Sequence, residues 1–180
     1  VFFSGKIETE HGVDTLMQAI SMLESNPRPD GVVVHFDICG GGSKLDWVKS
    51  MIADVRVNRV AIHGFVSDLK YAELLCGSDM CLVLQKANGR HSSFKTPSKG
   101  YEYMAYGKAV AVTDVGDFAS LPVDTRVLLQ RGSAAELAEL IRSIDSSTIR
   151  RLGDAALSYA RSNWGLERNG RRILELFQID

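Results

Sequence analysis

Several features that define special classes of protein are missing or scarce in this sequence. No apolar run approaches the roughly 18 residues that a membrane-spanning helix needs. No secretory signal is visible; Val1-Phe2-Phe3 reads as the inside of a strand, as at a cut between domains. An excess of one charge is also missing: 21 Lys and Arg against 22 Asp and Glu give a net charge of -1. That balance argues against duplex nucleic acid or an anionic membrane as the main partner, since both require a net basic face. Cysteine is scarce and odd in number, and Cys39, Cys76 and Cys81 show neither zinc-finger nor Cys-x-x-Cys spacing. Their apolar surroundings predict buried free thiols, which suit a reducing, cytoplasmic compartment. Internal repeats and low-complexity segments are absent, and 45% apolar residues exclude disorder.

What is present points to one domain. A chain of 180 residues has the usual size of a single domain and can bury a core without disulfide or metal support. Short apolar runs at Val1–Phe3, Val32–Ile38, Val60–Ile62, Met80–Leu84, Ala109–Val112 and Val127–Leu129 predict six strands. Most are rich in Val and Ile without strict alternation, as in strands covered on both faces.

Helical patterns fill the intervals. Val13, Leu16, Met17, Ile20 and Leu23 form one stripe, which ends before Asn26-Pro27-Arg28-Pro29-Asp30-Gly31. Ser43 with Asp46, Ser67-Asp68, and Ser133 with Glu136 predict helix starts. Thr96-Pro97 predicts an N-cap followed by an N1 proline, for a helix ending at Gly107. Thr148 to Phe177 predicts a helical tail broken near Asn163-Trp164-Gly165, with Ile173, Leu174 and Phe177 on an apolar face. Together these predict an α/β, Rossmann-like, doubly wound domain: a mostly parallel six-stranded sheet, helices on both faces and a helical C-terminal tail.

In such sheets ligands sit beyond the carboxyl ends of the strands. The segments there are Ser4-Gly5-Lys6, Cys39-Gly40-Gly41-Gly42-Ser43, His63-Gly64-Phe65-Val66, Gln85 to Thr96, and Thr113 to Asp117. The glycine run before a helix can turn backbone N–H groups toward a phosphate, or can simply be a tight turn. It matches neither G-x-G-x-x-G nor the Walker A pattern. Lys6 beside Gly5 can meet a pyrophosphate or be a solvated surface lysine; His11 lies on a polar turn. The polar stretch Asn88 to Lys95 is long for an interior loop, which raises the odds of function. The helix starting near Pro97 offers free N–H groups and a dipole to an anion. Glu102, in its second turn, can accept hydrogen bonds from two vicinal hydroxyls, or can be a charge favoured near a helix start.

Pro97-Ser98-Lys99-Gly100-Tyr101-Glu102-Tyr103-Met104-Ala105-Tyr106-Gly107-Lys108-Ala109-Val110-Ala111 resembles the donor-site motif of family 4 glycosyltransferases. It is most similar to the branch written P-S-K-L-x-E-Y-M-A-x-G-K-P-V-V. Phe3 to Ile7, Ile38 to Gly42, Val60 to Val66, Ser78 to Leu82, and Trp164 resemble further landmarks of that family, in the same order. The resemblance implies a GT-B enzyme of two Rossmann-like domains, with residues 1–180 as the single C-terminal, nucleotide-sugar-binding domain and the N-terminal acceptor domain absent.

It further implies transfer of a sugar from a nucleotide diphosphate sugar to a hydroxyl acceptor, with retention of configuration. The partners implied are the nucleotide-sugar donor and the missing N-terminal domain of the same protein, with no cofactor beyond that donor substrate. Glu102 would hold the ribose hydroxyls. Lys6 would meet the diphosphate. Gly5 and the turn at Gly40 and Gly41 would let backbone approach the phosphates, and Gly64, Phe65 and Val66 would border the base. Pro97, Ser98 and Lys99 would form the anion-binding helix start.

The chain departs from the family pattern at two points. Phe94 stands where an earlier glutamate is usual, and His11 where a second basic residue is usual. Lys99 is positioned to compensate. Asp-x-Asp, the usual metal clamp on a diphosphate, does not occur, so lysines and helix ends would carry the charge without a required metal. Alternatives within this fold are a nucleotide-sugar epimerase or hydrolase, and a non-catalytic nucleotide-binding module. Membrane association would come through the missing domain or the acceptor.

Overall fold

The computed structural model describes residues 1–53, 55–86 and 97–165. Six strands are β1 (Phe2–Ser4), β2 (His35–Cys39), β3 (Arg59–Gly64), β4 (Met80–Val83), β5 (Ala109–Thr113) and β6 (Val127–Leu129). The helices among the described residues are α1 (Val13–Ser25), α2 (Leu45–Ile52), α3 (Asp68–Gly77), α4 (Ser98–Ala105), α5 (Ala134–Ser143) and α6 (Ser146–Trp164). All five strand pairings are parallel, and the strand order is β3-β2-β1-β4-β5-β6. This is the doubly wound arrangement, with its reversal of direction between β1 and β4.

The unbroken apolar runs follow from cover on both faces. In β5 every residue is buried: Ala109 and Ala111 belong to one core, Val110 and Val112 to the other. The first core joins the stripe of α1 to Val48 of α2 and to Leu137 and Ile141 of α5. The second joins Leu75 of α3, Tyr103 and Met104 of α4, and Ala156 of α6.

The structure corrects several local expectations. The strand expected from Val32 begins at His35, where pairing to Arg59 starts, and Val32 and Val33 are exposed. Ser43 does not cap α2; its N–H and hydroxyl both go to Glu8 instead, at 2.8 and 2.6 Å. Pro97 occupies the N-cap position of α4 rather than N1, and Thr96 lies outside the described residues. Cys39 and Cys81 are buried, but Cys76 is exposed, on a turn of α3 that faces away from the sheet. Ser67 and Ser133 cap as expected, accepting from Lys70 N–H and Glu136 N–H. The tail helix begins at Ser146, with Asp145 as its cap, and ends at Trp164. Ile173, Leu174 and Phe177 lie outside the described residues.

Helix α4 ends where the sequence indicates. Gly107, at φ +69°, donates to Met104 O, and Lys108 N–H donates to Tyr103 O, closing a Schellman turn. That turn leads directly into β5, so the position of α4 is tied to the sheet.

Candidate active site

The carboxyl ends of β1 and β4 part at the switch point, leaving a crevice of about 260 Å³. Gly5, Lys6 and His11 line it after β1, and Pro97, Ser98 and Lys99 line it at the start of α4. No side chain among the described residues caps α4, and its first residues line the crevice. Gly5 is at φ +145°, and a side chain added there would meet nothing within 4 Å. The space beside its Cα is open, while its N–H is bonded to Cys39 O. Lys6 is exposed and makes no ion pair among the described residues.

Lys99 and Glu102 form a pair one turn apart, with Nζ 2.9 Å from Oε2. The ammonium also donates to the Tyr71 hydroxyl at 3.0 Å. Partial burial opposes the charged form of Lys99, but the bonds to Tyr71 and Glu102 outweigh it and raise its pKa above the ordinary value. Behind Tyr71, the Ser4 hydroxyl lies 3.4 Å from the Tyr71 hydroxyl and 2.8 Å from that of Tyr103. Burial, the largest influence, pushes the Tyr103 phenol far up, so it stays neutral.

The glycine turn after β2 is filled by the chain itself. A Cβ on Gly40 would lie 1.8 Å from the Gly5 carbonyl oxygen, and one on Gly41 2.7 Å from the Phe65 ring. The Ser43 N–H beyond them is taken by the Glu8 carboxylate. Hydrogen bonding from the Ser43 hydroxyl is the main reason the Glu8 pKa is lowered. Gly40 and Gly41 thus lie beside the crevice in close contact with the protein. Gly64 sits at φ +65° with nothing within 4 Å of an added side chain. Phe65 next to it is 89% exposed, an unusual state for an aromatic ring, while Val66 packs against the second core.

The structure therefore brings Gly5, Lys6, Pro97, Ser98 and Lys99 to one crevice, with Glu102 attached through Lys99. Gly64 and Phe65 stand at the carboxyl end of β3, which β2 separates from β1. Asn88 to Lys95, including Phe94, lie outside the described residues. Sequence reasoning missed Tyr71 and gave Ser4 and Tyr103, though named in their segments, no role of their own. A signal for Tyr71 existed: it shares the inward stripe of α3 with Leu74 and Leu75, and an inward phenol needs a polar partner.

A larger cavity of about 830 Å³ lies at the opposite edge of the sheet. Its most prominent cations already serve the fold. Arg28 reaches the carbonyls of Ile141 and Ile144, and Lys108 those of Cys76 and Ser78. Ligands of doubly wound sheets bind at the other edge, so the smaller crevice is the candidate.

Strand order and crevice define a doubly wound, Rossmann-like domain with a crevice at its switch point. Residues 1–146 match the family model described as "Glycosyl transferases group 1", and the chain belongs to that family. Among solved structures, HepE of Anabaena in complex with UDP superposes with a TM-score of 0.75 at 22% identity, over 98% of this chain and 48% of that one. TarM of S. aureus, a mutant in complex with Fondaparinux, alpha-GlcNAc-glycerol and UDP, gives 0.75 at 16% identity, over 98% of this chain and 35% of that one. The C-terminal domain of LpcC, a glycosyl transferase group 1 family protein of Francisella tularensis, gives 0.68 at 16%, over 92% and 86%. These likenesses establish the fold. The chain spans about half the length of HepE and about a third of TarM. No curated protein matches it.

Proposed function

We propose that this chain is the donor-binding half of an enzyme that transfers a sugar from a nucleotide diphosphate sugar to a hydroxyl acceptor. The observation that carries this reading is the convergence of Lys6, Lys99 and the amino end of α4 on one crevice, beside Gly5. The UDP complex of HepE and the isolated C-terminal domain of LpcC support it by likeness of fold. An acceptor-binding domain in the same protein would form the other wall.

The physical task is to stabilise a departing diphosphate while the sugar gains oxocarbenium character. Lys6, Lys99 and the N–H groups of α4 meet the developing negative charge. Glu102 receives the ribose hydroxyls, and Gly64 and Phe65 border the base. Positive side chains and a helix end take the place of a metal clamp, and the transfer retains configuration. The donor is a substrate, and no further cofactor is invoked. The free thiols suit a cytoplasmic setting.

Product analysis with a labelled nucleotide sugar tests the reading in the full-length protein. Label is expected in a glycosylated acceptor, and Glu102→Ala should suppress it. Release of free sugar or of an epimerised nucleotide sugar, without transfer, would contradict it.

A further inference from the structure

Lys99 is held by a side chain that nothing in the donor-site motif contains. Among the described residues, Tyr71 is the only group outside α4 that hydrogen-bonds the Lys99 ammonium, and its ring centre lies 4.2 Å from Nζ. Lys99 folds onto Glu102 as a pair three residues apart, and the Tyr71 hydroxyl holds the same ammonium from outside the helix.

Tyr71 is itself anchored. Its ring meets fully buried Phe2 edge to face, at 5.5 Å and 65°. Its hydroxyl accepts from Lys99 and shares a bond with the Ser4 hydroxyl, which shares a second with buried Tyr103.

We propose that Tyr71 is a positioning residue for diphosphate binding: it fixes Lys99 over the end of β1 and divides the ammonium between itself and Glu102. Oε2 of Glu102 takes the ammonium, and among the described residues no hydrogen bond occupies Oε1, which is left for a ligand hydroxyl. The inference rests on the proposed donor-binding role of the crevice.

A double-mutant cycle on the 180-residue chain tests it, using Tyr71→Phe, Lys99→Ala and the pair, with UDP as probe and GDP and ADP as alternates. Phe keeps the ring on Phe2 and removes only the hydroxyl. By calorimetry, Tyr71→Phe is expected to weaken binding about 3- to 10-fold in the native background and to change it less than about 2-fold when Lys99 is already Ala. NMR titration of the Lys99 side chain supplies a readout that a merely structural role would not move. The midpoint should fall in Tyr71→Phe, because the bond favouring the charged form is lost. Equal costs in both backgrounds, or no cost and an unmoved midpoint, would overturn the inference while leaving the donor-binding role standing. If the native chain binds none of the three nucleotides, both fall, and the failure shows in the unmutated protein.

Discussion

At the residue scale, charge placement rather than total charge governs the site. A net charge of -1 is compatible with diphosphate binding because Lys6 and Lys99 sit together at one crevice. Replacing Lys99 with Ala should weaken nucleotide-sugar binding by about 10-fold or more, the usual scale for a charged hydrogen bond. Calorimetry at low salt reads this directly, and unchanged affinity would remove Lys99 from the site.

A second residue-scale expectation concerns Glu24, which anchors the segment before β3. Its carboxylate accepts from the N–H groups of Arg56, Val57 and Asn58 at 2.6 to 2.8 Å. Burial, the largest single influence, would raise its pKa, but these bonds together lower it below 4.5. A depressed folded pKa contributes stability that is full above the unfolded value and is lost as pH falls through the folded one. Stability should therefore decline as the pH drops below about 4.5, and Glu24→Gln should flatten part of that decline. Denaturant melts at a series of pH values would show the difference between the two slopes.

At the element scale, α4 is held from two sides. The Schellman turn at Gly107 ties it to β5, and Gly153 of α6 lets α6 lie against that turn. A Cβ on Gly153 would come within 2.4 Å of the Gly107 carbonyl oxygen. Gly153→Ala should destabilise the domain by about 1–3 kcal/mol through overpacking against backbone. A thermal melt that matched the unmutated chain would show that α6 can shift freely.

The same scale explains what the sequence could and could not reveal. Ser67 and Ser133 were legible as caps because their partners lie three residues on. Ser43 was not, because its partner Glu8 lies far away in sequence and meets it only once β1 and β2 pair. Helix α4 was legible from the punctuation at Pro97 and Gly107. Its support by Tyr71 and Ser4 was not, since three separate elements must fold before those hydroxyls meet. The strand expected from Val32 overran because an apolar run marks burial tendency, while the strand begins only where a partner is available.

At the scale of the whole molecule, the chain accounts for one wall of the proposed active site. It covers 86% of the isolated C-terminal domain of LpcC but only 48% of HepE. The 180-residue chain should therefore bind donor nucleotide yet turn it over poorly. Robust sugar transfer by this chain alone, measured with labelled donor and a range of hydroxyl acceptors, would show that the acceptor wall is not needed.

The central claim is that the crevice between β1 and β4 binds a nucleotide diphosphate sugar. A thermal-shift panel of UDP-, GDP- and ADP-sugars on the 180-residue chain tests it most directly. Ligand at about 100 times its Kd stabilises the folded state by about 2.7 kcal/mol. In a domain of this size that raises Tm by about 5–10 °C. The expected result is such a shift with at least one of the three bases, and its loss in Glu102→Ala. No shift with any donor, or a shift that Glu102→Ala leaves intact, would contradict the claim.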